Sequence, residues 1–446
     1  MRSVSVTIKL LTILLSCISV TAAAQENSPY SRYGLGNLVP SSSIINRSMG
    51  GIAAAFVDYD KRFDLKDRYP RSQSINFLNP ASYSKIRITS FDLGFEVDSR
   101  TLRSAEQAKK FSAASAIISY VQLGVPLSRK NGLGLIFGLR PVTRINYKIQ
   151  QDRRITGIDS ISSLYEGTGG SYQVYTGLGK SFKNLSIGLN AGYLFGSKDY
   201  STRKTLIPDS TGVVYYKSNH QTKTTFNGIF IEMGAQYRAE LNKTTTLHLG
   251  AYGNTRQKFN ASKDFQAETF NYDANGGVFK IDSVYGQNNI KGKLEYPSTI
   301  GAGFMIEKLD KWQIGVDYTT SSWDDYRFFG EKDPSVRNSW MLKIGGQVTP
   351  NLYNAKSYWG LVAYRAGFNF GPDYIYPGKE LPQYGFSVGA GFPMRKNPYT
   401  NQYTSINLGI EYGKRGNTSN SLSENLFRIS LGFTLSDLWF VKRKYN

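Results

Sequence analysis

Two histidines, His220 and His248, and one cysteine, Cys17, are the residues of this chain with the widest chemical repertoire. Neither histidine has a His or Cys neighbour at the spacing a metal site needs. A Ser–His pair built on His248 would want a G-x-S-x-G elbow, and the sequence has none. Gly177-Leu178-Gly179-Lys180-Ser181 imitates the tail of a phosphate-binding loop. Val174 stands where that motif's first glycine belongs, and no helix-forming stretch follows. Asp92, Glu96, Arg140, Glu232, Asp317, Lys343, Arg365, Glu411 and Arg428 recur at one parity of strand-like segments, which predicts mutual neutralisation rather than turnover. The expectation is a protein that is not an enzyme and carries no metal or cofactor.

The elements that position those charges are strands. In 184–196, NLSIGLNAGYLFG, the residues Leu185, Ile187, Leu189, Ala191, Tyr193 and Phe195 alternate with Ser186, Gly188, Asn190 and Gly192. This is the period of a β-strand, with small polar residues where a soluble sheet would show Lys, Glu and Thr to water. The same alternation returns at 91–98, 312–319, 384–392, 406–413 and 427–435. About fourteen such segments can be placed, near 86–98, 114–126, 132–149, 172–182, 184–199, 223–239, 242–260, 292–307, 311–322, 338–348, 359–371, 383–393, 402–413 and 425–440. Their connections alternate between short turns (128–132, 182–184, 240–243, 309–311) and long polar loops (99–113, 150–171, 200–222, 261–291, 323–337, 372–382, 414–424).

Short turns on one side and long loops on the other predict a closed barrel in a bacterial outer membrane. Lipid demands that every backbone N–H and C=O be paired internally, so a spanning sheet must close and lose its edges. Trp312, Trp323, Trp340, Trp359, Tyr384 and Trp439, near strand ends, suit interfacial girdles.

The N-terminus fits export. A basic start (Arg2, Lys9), an apolar run from Leu10 to Val20 and Ala22-Ala23-Ala24 predict a signal peptide over 1–24. Leu14-Leu15-Ser16-Cys17 loosely resembles a lipoprotein cleavage box, but the Ala-x-Ala site fits better. Cleavage after Ala24 removes the lone cysteine, and with it any disulfide or Cys-ligated metal. It also removes two cations and no acid, so the net charge of +21 becomes 21 − 2 = +19. For an exported chain such charge suggests anionic lipid and lipopolysaccharide headgroups or simply solubility, between which composition does not choose; no nucleic-acid partner is expected.

Residues 25–84 are not a strand array. They hold SMGGIAAAF (48–56) and SINFLNPASYS (74–84), with Ser48, Gly50 and Gly51 in the first and Asn79-Pro80-Ala81 in the second, just before strand one. This layout resembles the FadL-type outer-membrane transporters of hydrophobic compounds. The resemblance implies an all-β transmembrane antiparallel barrel of about fourteen strands over 85–446, with 25–84 folded inside as a plug. It implies a lateral opening at a kinked third strand, here at Gly138 and Pro141. It further implies ligand-capture loops, here carrying Val214, Tyr215 and Tyr216 in one and Phe265, Phe270 and Tyr272 in the other. The function so implied is passive uptake of a hydrophobic small molecule, fatty-acid-like or aromatic, by loop capture, plug movement and lateral exit. Some members of such a family instead serve as subunits of secretion or barrel-assembly complexes with other outer-membrane proteins. The charged plug insert at 58–71 and the charged lumen positions keep that alternative open.

Overall fold

The alternation at 184–196 becomes membrane wall. The computed structural model describes residues 27–58, 73–104, 110–157, 159–208, 215–273, 277–309, 311–351, 357–396, 402–437 and 439. The expected signal peptide and the charged insert, apart from Asp58, lie outside them. Leu185, Ile187, Leu189, Tyr193 and Phe195 are exposed on the outside, whereas Ser186 and Asn190 are buried on the inside. Hydrocarbon outside and a packed polar interior dictate that division.

The chain pairs antiparallel with its neighbours around a full circuit. The strands are β1 (Thr89–Ser104), β2 (Lys110–Ser128), β3 (Leu133–Arg154), β4 (Ser160–Phe182), β5 (Leu185–Ile207), β6 (Lys217–Glu240), β7 (Thr245–Asn254), β8 (Gln257–Tyr272), β9 (Val278–Tyr296) and β10 (Thr299–Lys308). They continue as β11 (Trp312–Ser321), β12 (Ser339–Val348), β13 (Ala363–Pro372), β14 (Pro382–Pro393), β15 (Tyr403–Arg415) and β16 (Leu422–Asp437). β7 pairs with β10, and β8–β9 is a hairpin standing outward from that pair. β16 pairs with β1 from Leu422↔Ser104 to Asp437↔Thr89 and closes the wall. The closed circuit has fourteen strands. No helix of the described residues is long and apolar enough to cross a membrane; strands do the crossing.

The wall is uneven in height. β7, β10, β11, β12 and β13 have 10 residues each, about what a tilted span needs. β3, β4, β5 and β6 have 22, 23, 23 and 24. Their surplus, with β8 and β9, forms a sheet in the order β3–β4–β5–β6–β8–β9 above one side of the barrel. Much of 150–171, 200–222 and 261–291, expected as loop, is therefore strand. Above the membrane both faces of a strand meet protein or water rather than lipid, so the apolar alternation that reveals a strand fades.

Trp323 departs from the expected girdle. It is 2 % exposed, stacked on Tyr374 with ring centroids 4.0 Å apart. The segments 322–338 and 372–382 fold inward over the barrel mouth, and Val336, Ile375 and Leu381 complete a core with Leu35 of the plug.

Candidate functional site

The inner face of the barrel is occupied by the residues that precede β1, and the contact is made through the sequence's small residues. Asn79 caps a short turn over Pro80–Lys85, its Oδ1 accepting from Ala81 N at 3.1 Å. Its Nδ2 donates to Ala54 O at 2.6 Å and reaches Ala235 and Ala251 carbonyls at 3.3 Å. Gly50 and Gly51 have φ of +70° and +88°, which a side chain rarely adopts. Gly50 N donates to Ser387 Oγ at 2.8 Å, and Ser48 Oγ donates to Ile44 O at 2.8 Å. Pro80 and Ala81 are buried. So the six plug residues singled out from sequence are brought together with the wall.

The wall answers with glycines of its own. A Cβ at Gly188 would strike the backbone of Pro80, one at Gly234 the Asn79 amide, and one at Gly345 the backbone of Met49. Sequence reasoning took these inward glycines as residues a watery lumen tolerates. They are places where plug backbone lies directly on strand backbone. The missed signal was the glycine itself at inward parity, since water alone would not require loss of the side chain.

A buried ionic cluster fixes the plug centrally. Arg47 pairs with Glu96 of β1, donates from Nε to Glu411 of β15 at 2.9 Å, and from Nη2 to Ser430 of β16 at 3.2 Å. Arg428 grips Asp98, with Nη2 to Oδ2 at 2.9 Å. Arg140 donates to Gln173 at 2.9 Å and Glu232 at 3.0 Å. Asp317 accepts from Ala53 N and Ala54 N at 2.6 and 2.7 Å, and Asp92 accepts from Ile75 N at 3.2 Å. Arg365 donates to Gln347 at 2.6 Å and Asn407 at 2.9 Å. Of the nine charges singled out from sequence, Lys343 is shown with a neighbouring Asp317 but no direct bond. His248 bonds Glu307 across the β7–β10 ladder at 2.9 Å. Among the described residues no group of three or more His, Cys, Asp or Glu could hold a metal.

Above the plug a cavity of about 430 Å³ remains. Phe230, Tyr252, Tyr296 and Trp323 line one part of it, and Arg140, Lys343, Arg415 and Arg428 another. Tyr374 donates its phenolic O–H to Gly36 O, and Lys198 Nζ donates to Gly34 O at 2.6 Å. Burial pushes the Tyr326 and Tyr374 phenols well above their ordinary pKa; both stay neutral, Tyr374 as a donor and Tyr326 as an acceptor from Lys198 Nζ at 3.2 Å.

At the third strand the wall changes partner. The β2–β3 ladder runs from Ser128↔Leu133 to Val121↔Leu139 and ends there, two residues before Pro141. Gly138 lies inside that ladder, opposite Gln122, with the Tyr175 ring beside it. Pro141 lines the cavity and sits at a register shift in the β3–β4 ladder. Beyond it the edge of β3 that β2 has left is covered from inside by the plug. Val39 N donates to Val142 O at 3.0 Å and Ser28 N to Asn146 O at 3.0 Å. Asn37 and Leu38 pair with Arg144 and Thr143, and Asn27 exchanges bonds with the Lys148 backbone at 3.1 and 3.3 Å. Arg144 itself reaches back to Ser115 of β2 at 3.1 Å.

The described residues expected in capture loops lie in and beside the outer sheet, where Lys217, next to Tyr216, pairs with Phe270 of β8. Val214 lies outside the described residues. Tyr215 bonds Asp159 at 2.5 Å and Tyr216 is 71 % exposed. Phe265, Phe270 and Tyr272 are on β8, where Phe270 is fully buried against Tyr272. None of them lines the cavity.

Comparison with known proteins then settles the family. The family profile described as BamG matches residues 7–446. The chain belongs to the BamG family. No curated protein matches it. Among solved structures, the Pseudomonas putida toluene transporter TodX superposes with a TM-score of 0.54 at 14 % identity, covering 91 % of this chain and 100 % of TodX. The CymD monoaromatic hydrocarbon channel gives 0.50 at 15 % identity, covering 91 % and 99 %. At that identity the likeness is one of fold. This BamG-family chain is thus an outer-membrane β-barrel of FadL type with a plug in its lumen, as the layout of 25–84 and the strand count implied.

Proposed function

We propose that this barrel is a docking subunit of an outer-membrane secretion or barrel-assembly complex and transports nothing itself. The observation that carries the reading is Arg47. Buried at the centre, it holds β1, β15 and β16 together through Glu96, Glu411 and Ser430. Moving the plug would break the short Arg47 pairs and leave Glu96 and Glu411 only the longer contacts of Arg428, and breaking a buried pair costs up to about 3–5 kcal/mol. A lumen filled in this way is a core rather than a passage. What stays open is the tall outer sheet, with Phe279, Ile281, Val284 and Tyr285 exposed. Apolar patches rimmed by polar residues are a mark of interaction sites.

A second reading, uptake of a fatty-acid-like or aromatic small molecule, draws on the cavity. That cavity reaches Pro141, where the β2–β3 ladder has ended, and a compound held there could leave sideways into lipid. Its lining of ion pairs, Arg140 with Glu232 and Arg415 with Asp373 and Glu424, weighs against a purely apolar cargo.

The deciding experiment is purification of the full chain from native membrane in mild detergent without crosslinker. Co-purification of outer-membrane proteins in fixed proportion, with export or assembly of surface proteins impaired on deletion, is the expected result. A bound lipid-like molecule with no accompanying protein would give the answer to uptake. Under that second reading Pro141→Val, which restores a ladder N–H, lowers uptake while heat resistance holds.

A further inference from the structure

The outer sheet β3–β4–β5–β6–β8–β9 has two ends, and they are treated differently. At β3 the backbone edge from Val142 to Lys148 is taken by Asn27, Ser28, Asn37, Leu38 and Val39 of the same chain. At β9 one edge pairs with β8 from Val278↔Tyr272 to Tyr296↔Gln257. On the other, no pairing is seen among the described residues until Lys293, where Phe329 N donates to its carbonyl and Leu294 and Glu295 meet Phe328 and Arg327. From Val278 to Asn289 every residue is exposed, including Phe279, Ile281, Val284 and Tyr285.

A bare edge of this length is a template for another strand. Soluble proteins blunt such edges, and the devices visible on the described part of this one are three register shifts, between Lys280/Asp282, Ser283/Tyr285 and Gln287/Ile290, and the charges of Lys280, Asp282 and Lys291. Resting on the docking reading above, we propose that the outer edge of β9 takes an extended segment of another cell-surface protein by strand addition. Such pairing draws affinity from main-chain hydrogen bonds and specificity from alternate side chains.

The charge of the edge selects the occupant. Over Val278–Lys293 it carries Lys280, Lys291 and Lys293 against Asp282, so 3 − 1 = +2. A segment that alternates apolar with acidic residues sets carboxylates opposite those lysines, a favourable cross-strand pair. A second copy of this chain fits badly. Two barrels in one membrane run their β9 strands in the same direction. Lys280 then stands abreast of Lys280 and Lys291 of Lys291, and like charges placed so repel.

The test uses the full-length protein in living cells, with a photo-crosslinking amino acid placed singly at Phe279, Ile281, Val284 or Tyr285, and at Ile118 of β2 as a lipid-facing control. The expected result is adducts from the β9 positions to one acidic segment of one protein. Successive crosslinked residues on that segment step by two, and Ile118 gives none of them. Val284→Pro, which bends the edge and removes a donor, lowers the yield at Phe279 about tenfold while the barrel keeps its heat resistance. Lys280→Glu with Lys291→Glu lowers it as well. Adducts only to lipopolysaccharide, only to a second copy, or to a partner surface without the two-residue step would each overturn the proposal. Proteins that co-purify yet never crosslink from β9 sink this edge and leave the docking reading standing. If nothing co-purifies, both fall.

Discussion

The two edges of the outer sheet pose one physical problem and meet it in opposite ways. β3 loses its neighbour β2 at Leu139, and the chain's own segment from Asn27 to Val39 supplies the missing hydrogen bonds. β9 keeps β8 on one side, but on the other the described residues supply it with no partner above Gly292. The difference follows from where each edge points. The β3 edge turns into the barrel mouth, away from water, where an unpaired carbonyl or amide costs a full desolvation penalty. The β9 edge stands in solvent, where water satisfies it until a partner arrives. Edges turned inward must be closed by the molecule, and edges turned outward are left for something else.

The largest expected effect strikes the covered side at its anchor. Arg47→Met leaves the buried Glu96 and the half-buried Glu411 with only the longer contacts of Arg428, at 3.8 and 3.5 Å, and should cost up to about 3–5 kcal/mol. Urea unfolding of the detergent-solubilised barrel, followed by tryptophan fluorescence, reads it. An unchanged midpoint would mean that the plug adds nothing to the wall's stability.

Next comes the plug's contact with the wall. Gly188→Ala drives a methyl into the Pro80 backbone and should cost about 1–3 kcal/mol by overpacking. The same assay on Gly378→Ala controls for backbone effects, because a methyl there meets nothing within 4 Å although its φ of +90° is strained. Equal losses from both would put the cost in the backbone and not in the contact. Asn190→Arg, which a watery lumen would accept, should also fail here, since Asn190 is buried against Phe77 O and Glu232.

A smaller loss is expected where the covered edge is opened at one bond. Val39→Pro removes the N–H that reaches Val142 O, at about 0.5–1.5 kcal/mol, and hydrogen exchange should speed up at neighbouring β3 amides. Protection that persists there would show the edge closed by something other than Asn27–Val39.

Smallest of all is the bare edge. Val284→Lys should change the stability of the isolated barrel by no more than about 0.5 kcal/mol, because the side chain is 68 % exposed and touches little. A large loss would mean that β9 is packed within the molecule and is not an open end.

The sequence was most legible where lipid writes the pattern. At 184–196 and in the other spanning segments hydrocarbon outside enforces alternation, and the strand count and the sidedness of the turns came out as read. Legibility failed where lipid stops. The upper parts of β4, β5, β6, β8 and β9 looked like loops, since no apolar face is demanded of them. The lumen was half legible. The charges were recognisable, and Asp92, Glu96 and Arg140 do sit in satisfied pairs. Arg47, which pairs with Glu96 and Glu411, was not recognisable, because one arginine in a plug segment carries no periodic signal. Trp323 misled for a related reason: an aromatic at a strand end reads alike whether it faces lipid or folds inward onto Tyr374.

The plug's bonds also impose a schedule on the chain's birth. Ser28 waits for Glu424, which lies 396 positions further on, and Arg47 waits for Glu411, 364 positions on. The first part to leave the ribosome is thus among the last to find its partners. The seam between β16 and β1 can zip only once Arg47 is already enclosed, since a circuit shut around an empty middle would lock the plug out. Long-range closures of this kind are slow. During the wait an unpaired arginine and a half-built wall stand exposed to other company.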